Sequence, residues 1–310
     1  MIPRRAFLQA SATLCAGPVQ LKVAGALPAA PRRRKLTLAT QFGVKPGGYS
    51  DNMYRLLCRI ERACQGSLTF EFVPPPASAH EAVNNGAYDG HLALISDTFD
   101  DHPVVSFSHG MSEQRSKAWL DALPERLNVK LLIAGATGSS LGLWSRTPIS
   151  NASDLAGASI FMRGATGRAL EALGARRVHI NTSAVSALKS NAIFAADCGD
   201  GPQCVTIGVA KAARFCAIGV SPERHAIGLA FSERAWASLS PAERSAFLFF
   251  TRQNFLQNLK DDTAAPNAYM AGFEAAHATT FYNMPPALVR KFDSARADAV
   301  AALERLSGII

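Results

Sequence analysis

No stretch of this 310-residue sequence is apolar for long enough to cross a membrane as a helix. It also lacks a glycine-rich fingerprint of the Walker or Rossmann type and any zinc-finger spacing of cysteine and histidine. These gaps argue against a helical membrane protein, a nucleotide-dependent enzyme and a zinc module. Charged residues are sparse at 18%, and although the balance is +8, the positive residues are scattered. The one dense run is Arg32-Arg33-Arg34-Lys35, and no helix-forming stretch interleaves basic with aromatic side chains, so no nucleic-acid partner is expected. What remains is a chain with nearly half its residues apolar, enough for one large or two medium domains.

The first thirty residues read as an export signal. Arg4-Arg5-Ala6-Phe7-Leu8 resembles a twin-arginine motif, a weakly apolar stretch follows, and Ala24-Gly25-Ala26 offers a cleavage site. Cys15 follows Leu14 where a lipoprotein signal wants a small residue, which disfavours a lipid anchor. A periplasmic, oxidising location is therefore expected, and it makes the cysteines informative. Past the signal they are Cys58, Cys64, Cys198, Cys204 and Cys216. Cys58 and Cys64, six apart on one predicted helix, point in different directions and cannot bridge each other. Cys198 and Cys204 bracket a flexible Gly-Asp-Gly-Pro-Gln loop that a disulfide could close, with free thiols as the alternative.

The densest pattern lies between Asn151 and Cys204. A strand is predicted at about 158–163, a helix over 164–174 with Ala169, Leu170 and Leu173 on one face, and a strand at 177–180. A helix at 184–189 capped by Thr182 or Ser183 follows, then a strand at 193–196 and a polar turn over 197–204. Alternation at this pace implies a parallel sheet, whose ligands sit beyond the strand carboxyl ends, facing helix N-termini. Arg163 and Asp197 fall at such ends. Earlier segments repeat the pattern: strands at 35–40, 68–73, 91–95, 129–134 and 141–145, with helices at 51–64 and 80–86. Helices are predicted at 242–259, 268–279 and 287–306. Two α/β halves joined by extended segments describe a hinged, two-lobed protein.

Catalytic readings are weaker. Gly138-Ser139-Ser140-Leu141-Gly142 fits the G-x-S-x-G elbow of serine hydrolases, yet the residues that follow are poor helix and good strand, and no Asp–His pair stands out. The acidic turn Ser96–His102 matches no calcium loop, so no metal or cofactor is expected. His91 and His179 read more readily as satisfied strand residues than as ligand contacts. Gly-Ala-Thr-Gly occurs at 135–138 and again at 164–167, where a helix terminus near Thr166 would face an anion.

Several segments together resemble the solute-binding proteins of TRAP (tripartite ATP-independent periplasmic) transporters. Glu81–Gly90 is similar to that family's "AV-x-x-G-x-x-D" segment, Asn128–Trp144 to its "NVK…G-x-TG-x-QMGGW", and Arg146–Ile149 with Asp154–Gly157 to "RKPI…DLKG". Leu173–Ala175, Ala187–Lys189 and Ala235–Ser240 keep the family spacing. The resemblance implies an α/β fold of two lobes with a hinge and a helical C-terminal segment. Its implied division is 1–30 signal peptide, 31–156 with 229–265 as one lobe, 157–228 as the other, and 266–310 as helices packing across both. It implies a non-enzymatic receptor that closes on a small organic solute and delivers it to membrane permease subunits, with homodimerisation left open.

The departures fall on the family's ligand positions. Ungapped counting places the arginine that grips a carboxylate on Phe161, the usual glutamine on Ser140, an aspartate on Phe194, and an acidic ligand on Asp197. Losing a bidentate arginine contact weakens a carboxylate ligand by roughly ten- to a hundred-fold. Arg163, two residues further along the strand on the same face and roughly 7 Å toward its end, is the candidate replacement. Phe42, Phe161 and Phe194 are candidate pocket walls, suited to an aromatic or aliphatic solute, and Trp144 is either a stacking surface or hinge core. The alternatives are an exported hydrolase using Ser140 and a relative that keeps the fold as a sensor or interaction partner.

Overall fold

The computed structural model describes residues 33–40, 42, 49–74, 79–95, 106–107, 129–180, 183–220, 224–261 and 266–307. The expected signal peptide and the acidic turn at 96–102 lie outside the described residues.

The chain opens with β1 (Arg34–Thr40), α1 (Tyr49–Ala63), β2 (Leu68–Val73), α2 (Ala79–Asn84), β3 (Gly90–Leu94), β4 (Ser106–Phe107) and β5 (Val129–Ala136). In α1 the apolar residues recur at Met53, Leu56, Leu57 and Ile60, and all four are buried on one face. β1 pairs in parallel with β2 and β3, as expected of strand–helix–strand units. The next elements are β6 (Leu143–Ser145), β7 (Ser159–Phe161), α3 (Gly164–Ala172), β8 (Arg176–Arg177), α4 (Ala184–Lys189), β9 (Ala195–Asp197), α5 (Gly201–Ile207) and β10 (Phe215–Ile218). Last come β11 (Arg224–Ser232), α6 (Glu233–Ser238), α7 (Pro241–Asp261), α8 (Pro266–His277), β12 (Thr280–Asn283) and α9 (Pro286–Ser307).

These strands make two sheets. The first runs β2-β1-β3-β11-β4 with β5 also paired to β11, and the second runs β12-β10-β6-β9-β7-β8. The expected parallel unit is present as β8-β7-β9, but the strands that leave and re-enter a lobe, β6 and β11, pair antiparallel with their neighbours. Both sheets are therefore mixed. Consecutive elements change sheet from β5 to β6 and from β10 to β11, so the sheet boundaries differ from the expected 156/157 and 228/229. Leu143–Ser145 belongs to the second sheet, and β11 from Arg224 onward to the first. The C-terminal helices also depart from expectation: α8 packs chiefly on α5 and β12, and α9 on α3, all in the second lobe.

Each face of the second sheet has its own core, set by the period-two alternation of the strands. Leu143, Ile160, Ala195 and Ala217 enter one cluster with Leu170, Leu288 and Phe292. Trp144, Ala196 and Cys216 enter the other with Leu188 and Phe273, and Phe161 packs against it. The first lobe is centred on Leu36, Leu38, Leu56, Leu57, Phe231 and Phe247. Burying one such side chain stabilises by roughly 1.5–3 kcal/mol.

The start of α7 is a reciprocal cap. The Glu243 amide donates to the Ser240 hydroxyl at 3.2 Å, and the Ser240 amide to the Glu243 carboxylate at 2.8 Å. The Ser67 hydroxyl also donates to Glu243 at 3.0 Å, and Arg34 lies 3.7 Å away. Burial raises this carboxyl, but the Ser240 amide, the two hydroxyls and Arg34 outweigh it and hold Glu243 below the usual range.

Candidate functional site at the lobe junction

The end of β9 carries the polar residues foreseen in the sequence. Asp197 is 3% exposed. Its Oδ1 accepts from the Ser140 hydroxyl at 2.6 Å and from the Gly199 amide at 2.8 Å. Ser140 reaches it because the crossover from β5 is pinned beside β9: the Leu141 amide donates to the Gly199 carbonyl at 3.1 Å. Gly142 follows at φ 144°, where a Cβ would sit 2.2 Å from the Ala217 carbonyl oxygen, so only glycine fits.

Sequence reading missed the third member. His225, on β11 of the opposite lobe, places Nε2 3.9 Å from Asp197 Oδ2. At that distance the pair is an electrostatic contact rather than a hydrogen bond. His225 is 5% exposed, and neither ring nitrogen has a hydrogen-bond partner. Its backbone is fixed: its amide donates to the Thr137 hydroxyl at 2.9 Å and its carbonyl accepts from the Thr137 amide at 2.9 Å. Burial pushes the Asp197 carboxyl up. His225, the Ser140 hydroxyl and the Gly199 amide more than offset this and hold Asp197 below the ordinary carboxylate range. The one sequence signal for His225 was its place after the second crossover, visible only once β10 and β11 are assigned to different sheets.

Arg163 stands at the N-cap of α3, two residues beyond Phe161 on a strand paired in parallel with β9. Its guanidinium lies 4.6 Å from the centre of the Phe161 ring, a cation–π contact. Its charge is felt at Cys198, next to Asp197. Arg163, Phe161, Asp197 and Ser140 are thus brought to one end of the sheet. Phe42 is on the first lobe, edge-on to Tyr49 at 5.9 Å. The Tyr49 hydroxyl meets the Asp200 amide of the second lobe at 3.3 Å. Gly199, at φ 86°, gives it room, since a Cβ there would fall 2.6 Å from that oxygen.

Two predicted wall residues are elsewhere. Trp144 is fully buried, packed edge-on against Phe273 and Phe281, so it is core rather than a stacking surface. Phe194 precedes β9 and packs into the cluster around Ile160 and Leu170, at the strand end remote from Asp197. The Thr166 side chain is also fully buried within α3, its hydroxyl unpartnered, which withdraws it from an anion in this arrangement. His91 is buried on β3 in the first sheet.

The expected polar turn after β9 is largely helix α5. Asp200 is its N-cap, its Oδ1 accepting from the Gln203 amide at 3.0 Å, while Oδ2 accepts from Gly138 at 2.8 Å. Of the two alternatives for Cys198 and Cys204, the structure has free thiols, and the Cys204 thiol donates to the Gly199 carbonyl at 3.4 Å. Burial pushes the thiols of Cys198, Cys204 and Cys216 up, which keeps them protonated and inert. Among the described residues no group of side chains could hold a metal ion.

The hydrolase alternative does not survive the geometry. After Gly142 comes strand β6, not the helix a nucleophile elbow requires. Ser140 donates straight to Asp197, and His225 faces the other carboxylate oxygen, so no imidazole lies between nucleophile and acid.

A separate cavity of about 220 Å³ adjoins the hinge, between Tyr49 and Asn52 of α1, Gly138, Asp200, Asn258 of α7 and Tyr269 of α8. Its arginine, Arg224, donates to the carbonyls of Thr137 at 2.8 Å, Leu259 at 3.1 Å and Asn258, closing the C-terminal turn of α7.

The fold is that of TRAP solute-binding proteins. A Bordetella bronchiseptica TRAP solute-binding protein, described with calcium and picolinate in its active site, aligns with a TM-score of 0.76 at 19% identity, covering 88% of this chain and 87% of that one. A Pseudoalteromonas atlantica protein with bound sodium and pyruvate gives 0.75 at 18%, over 88% and 89%. DctP7 of Bordetella pertussis, an extracytoplasmic receptor binding pyroglutamic acid, gives 0.71 at 16%, over 88% and 95%. No family model matches the sequence, and no curated protein matches it.

Proposed function

We propose that the protein is the extracytoplasmic solute receptor of a TRAP transporter, capturing a small organic acid between its lobes and handing it to a membrane permease. The observation that carries this reading is the agreement with TRAP solute-binding folds over 88% of the chain, at TM-scores of 0.71 to 0.76. The site chemistry is consistent with it: ionised and polar groups from both lobes converge, with no activated nucleophile among them. Arg163 would receive the solute carboxylate in a charge-assisted contact, Asp197 and Ser140 would take a polar substituent, and Phe161 would form the wall. Residues 1–30 would direct export and be removed.

Binding would work through closure. A solute touching both lobes binds the closed arrangement better, and so shifts the hinge equilibrium toward it. The test is a thermal-shift screen of aliphatic and aromatic carboxylates. The expected result is a rise in melting temperature with at least one acid, since bound ligand stabilises by mass action. No rise with any acid counts against the reading.

A further inference from the structure

The receptor reading leaves His225 without a task, and its surroundings specify one. A buried imidazole with both nitrogens unpartnered is unfavourable, because desolvation is not repaid by a hydrogen bond. Asp197 has spare capacity beside it: Oδ1 already accepts two hydrogen bonds, from Ser140 and Gly199, and Oδ2 is the oxygen turned toward His225. The two groups come from different lobes, and their 3.9 Å gap is too long for a direct bond. One atom placed off the line between them can lie about 2.8 Å from each, an ordinary hydrogen-bond length on both sides.

We propose that His225 is a specificity-determining residue, and that it and Asp197 jointly hold a hydroxyl of the solute, selecting a hydroxycarboxylic acid over its oxo and deoxy counterparts. With the proton on Nε2, a group that donates and accepts at one atom satisfies both partners. The solute O–H donates to Asp197 Oδ2, and its oxygen accepts from His225 Nε2–H. A 2-oxo acid accepts from the imidazole but turns a lone pair toward the carboxylate. An acid without the substituent satisfies neither group. Arg163 follows the end of β7 and Asp197 ends the adjacent parallel strand β9, so both stand at one edge of the sheet, where Arg163 would meet the solute carboxylate. This inference deepens the receptor reading and rests on it.

The experiment is calorimetric titration of the full chain with two matched sets, mandelate, phenylglyoxylate, phenylacetate and phenylglycine, and lactate, pyruvate and propionate. In at least one set the hydroxy acid is expected to bind about ten-fold or more tightly than its oxo and deoxy partners. His225→Phe should shrink that ratio to less than about three-fold. His225→Gln, which keeps a donor, should retain part of the preference, a selectivity that a merely structural role would not move. Equal binding of hydroxy and deoxy acids, tighter binding of phenylglycine than of mandelate, or an unchanged ratio in His225→Phe would overturn the proposal while leaving the receptor reading intact. Failure of every acid in both sets to bind would remove both.

Discussion

Two seams join buried polar groups in this molecule, and they are finished differently. Along α7 both buried asparagines are paired, and Arg59 beside Asn254 is held through Nη2, its Nε being the nitrogen of this seam left unbonded. Asn254 donates to the Ala134 carbonyl at 2.9 Å and to Asn52 at 2.8 Å, and accepts from Arg59 at 2.6 Å. Asn258 accepts from the Ala136 amide at 3.2 Å. At the lobe junction, by contrast, His225 has no bond at either nitrogen and Asp197 keeps an oxygen toward it. Satisfied buried networks hold a structure together, and the unpartnered imidazole facing a carboxylate between two lobes is where the proposed solute hydroxyl would bind. The α7 seam is architecture and the junction is recognition.

The contrast is broken most forcefully at the crossover that serves both. Gly142→Ala should cost about 3 kcal/mol or more, because the backbone angle and the Ala217 carbonyl both exclude a Cβ. Chemical denaturation measures it, and a near-neutral result would show that the crossover is free to move. Next is the α7 seam itself. Asn254→Ala leaves the Ala134 carbonyl and the Arg59 guanidinium without this partner, a loss of about 2–3 kcal/mol in stability with solute affinity unchanged.

How much of this division is legible in the sequence depends on the range of the contact. α1, α3, α4 and α7 are readable because their caps and apolar spacing are local, as with Ser183 capping α4 and Met53, Leu56, Leu57 and Ile60 facing inward in α1. Arg163 and Asp197 are readable because position at a strand end follows from the β/α pattern. Helix α5 was hidden in a stretch of Gly, Asp and Pro that also reads as a turn; the signal was Asp200 as N-cap with Pro202 just inside the helix. Trp144 and Phe194 were misplaced for a different reason. Alternation says which side of a sheet a residue occupies, but not which side is covered, and helix α8 closes over Trp144 through Phe273. His225 was illegible because its role depends on two sheets meeting.

A smaller effect sharpens the comparison through pH. Glu243, held below the ordinary range, contributes stability that is fully present above the usual glutamate pKa and is lost as pH falls through its depressed value. Glu243→Gln should therefore flatten the acid limb of the stability curve and cost about 1 kcal/mol at neutral pH, with no effect on binding. Unfolding midpoints measured between pH 3 and 7 check it; an acid limb as steep as in the wild type would contradict it.

The most direct test sets the two seams against each other in one pair of proteins. Melting temperature and affinity for the best-binding carboxylate are measured for His225→Phe and Asn254→Ala beside the wild type. The expected outcome is a crossing pattern: His225→Phe binds about ten-fold more weakly with the smaller fall in melting temperature, while Asn254→Ala shows the larger fall and binds as the wild type does. Loss of stability without loss of affinity in His225→Phe would contradict the assignment of the junction to recognition.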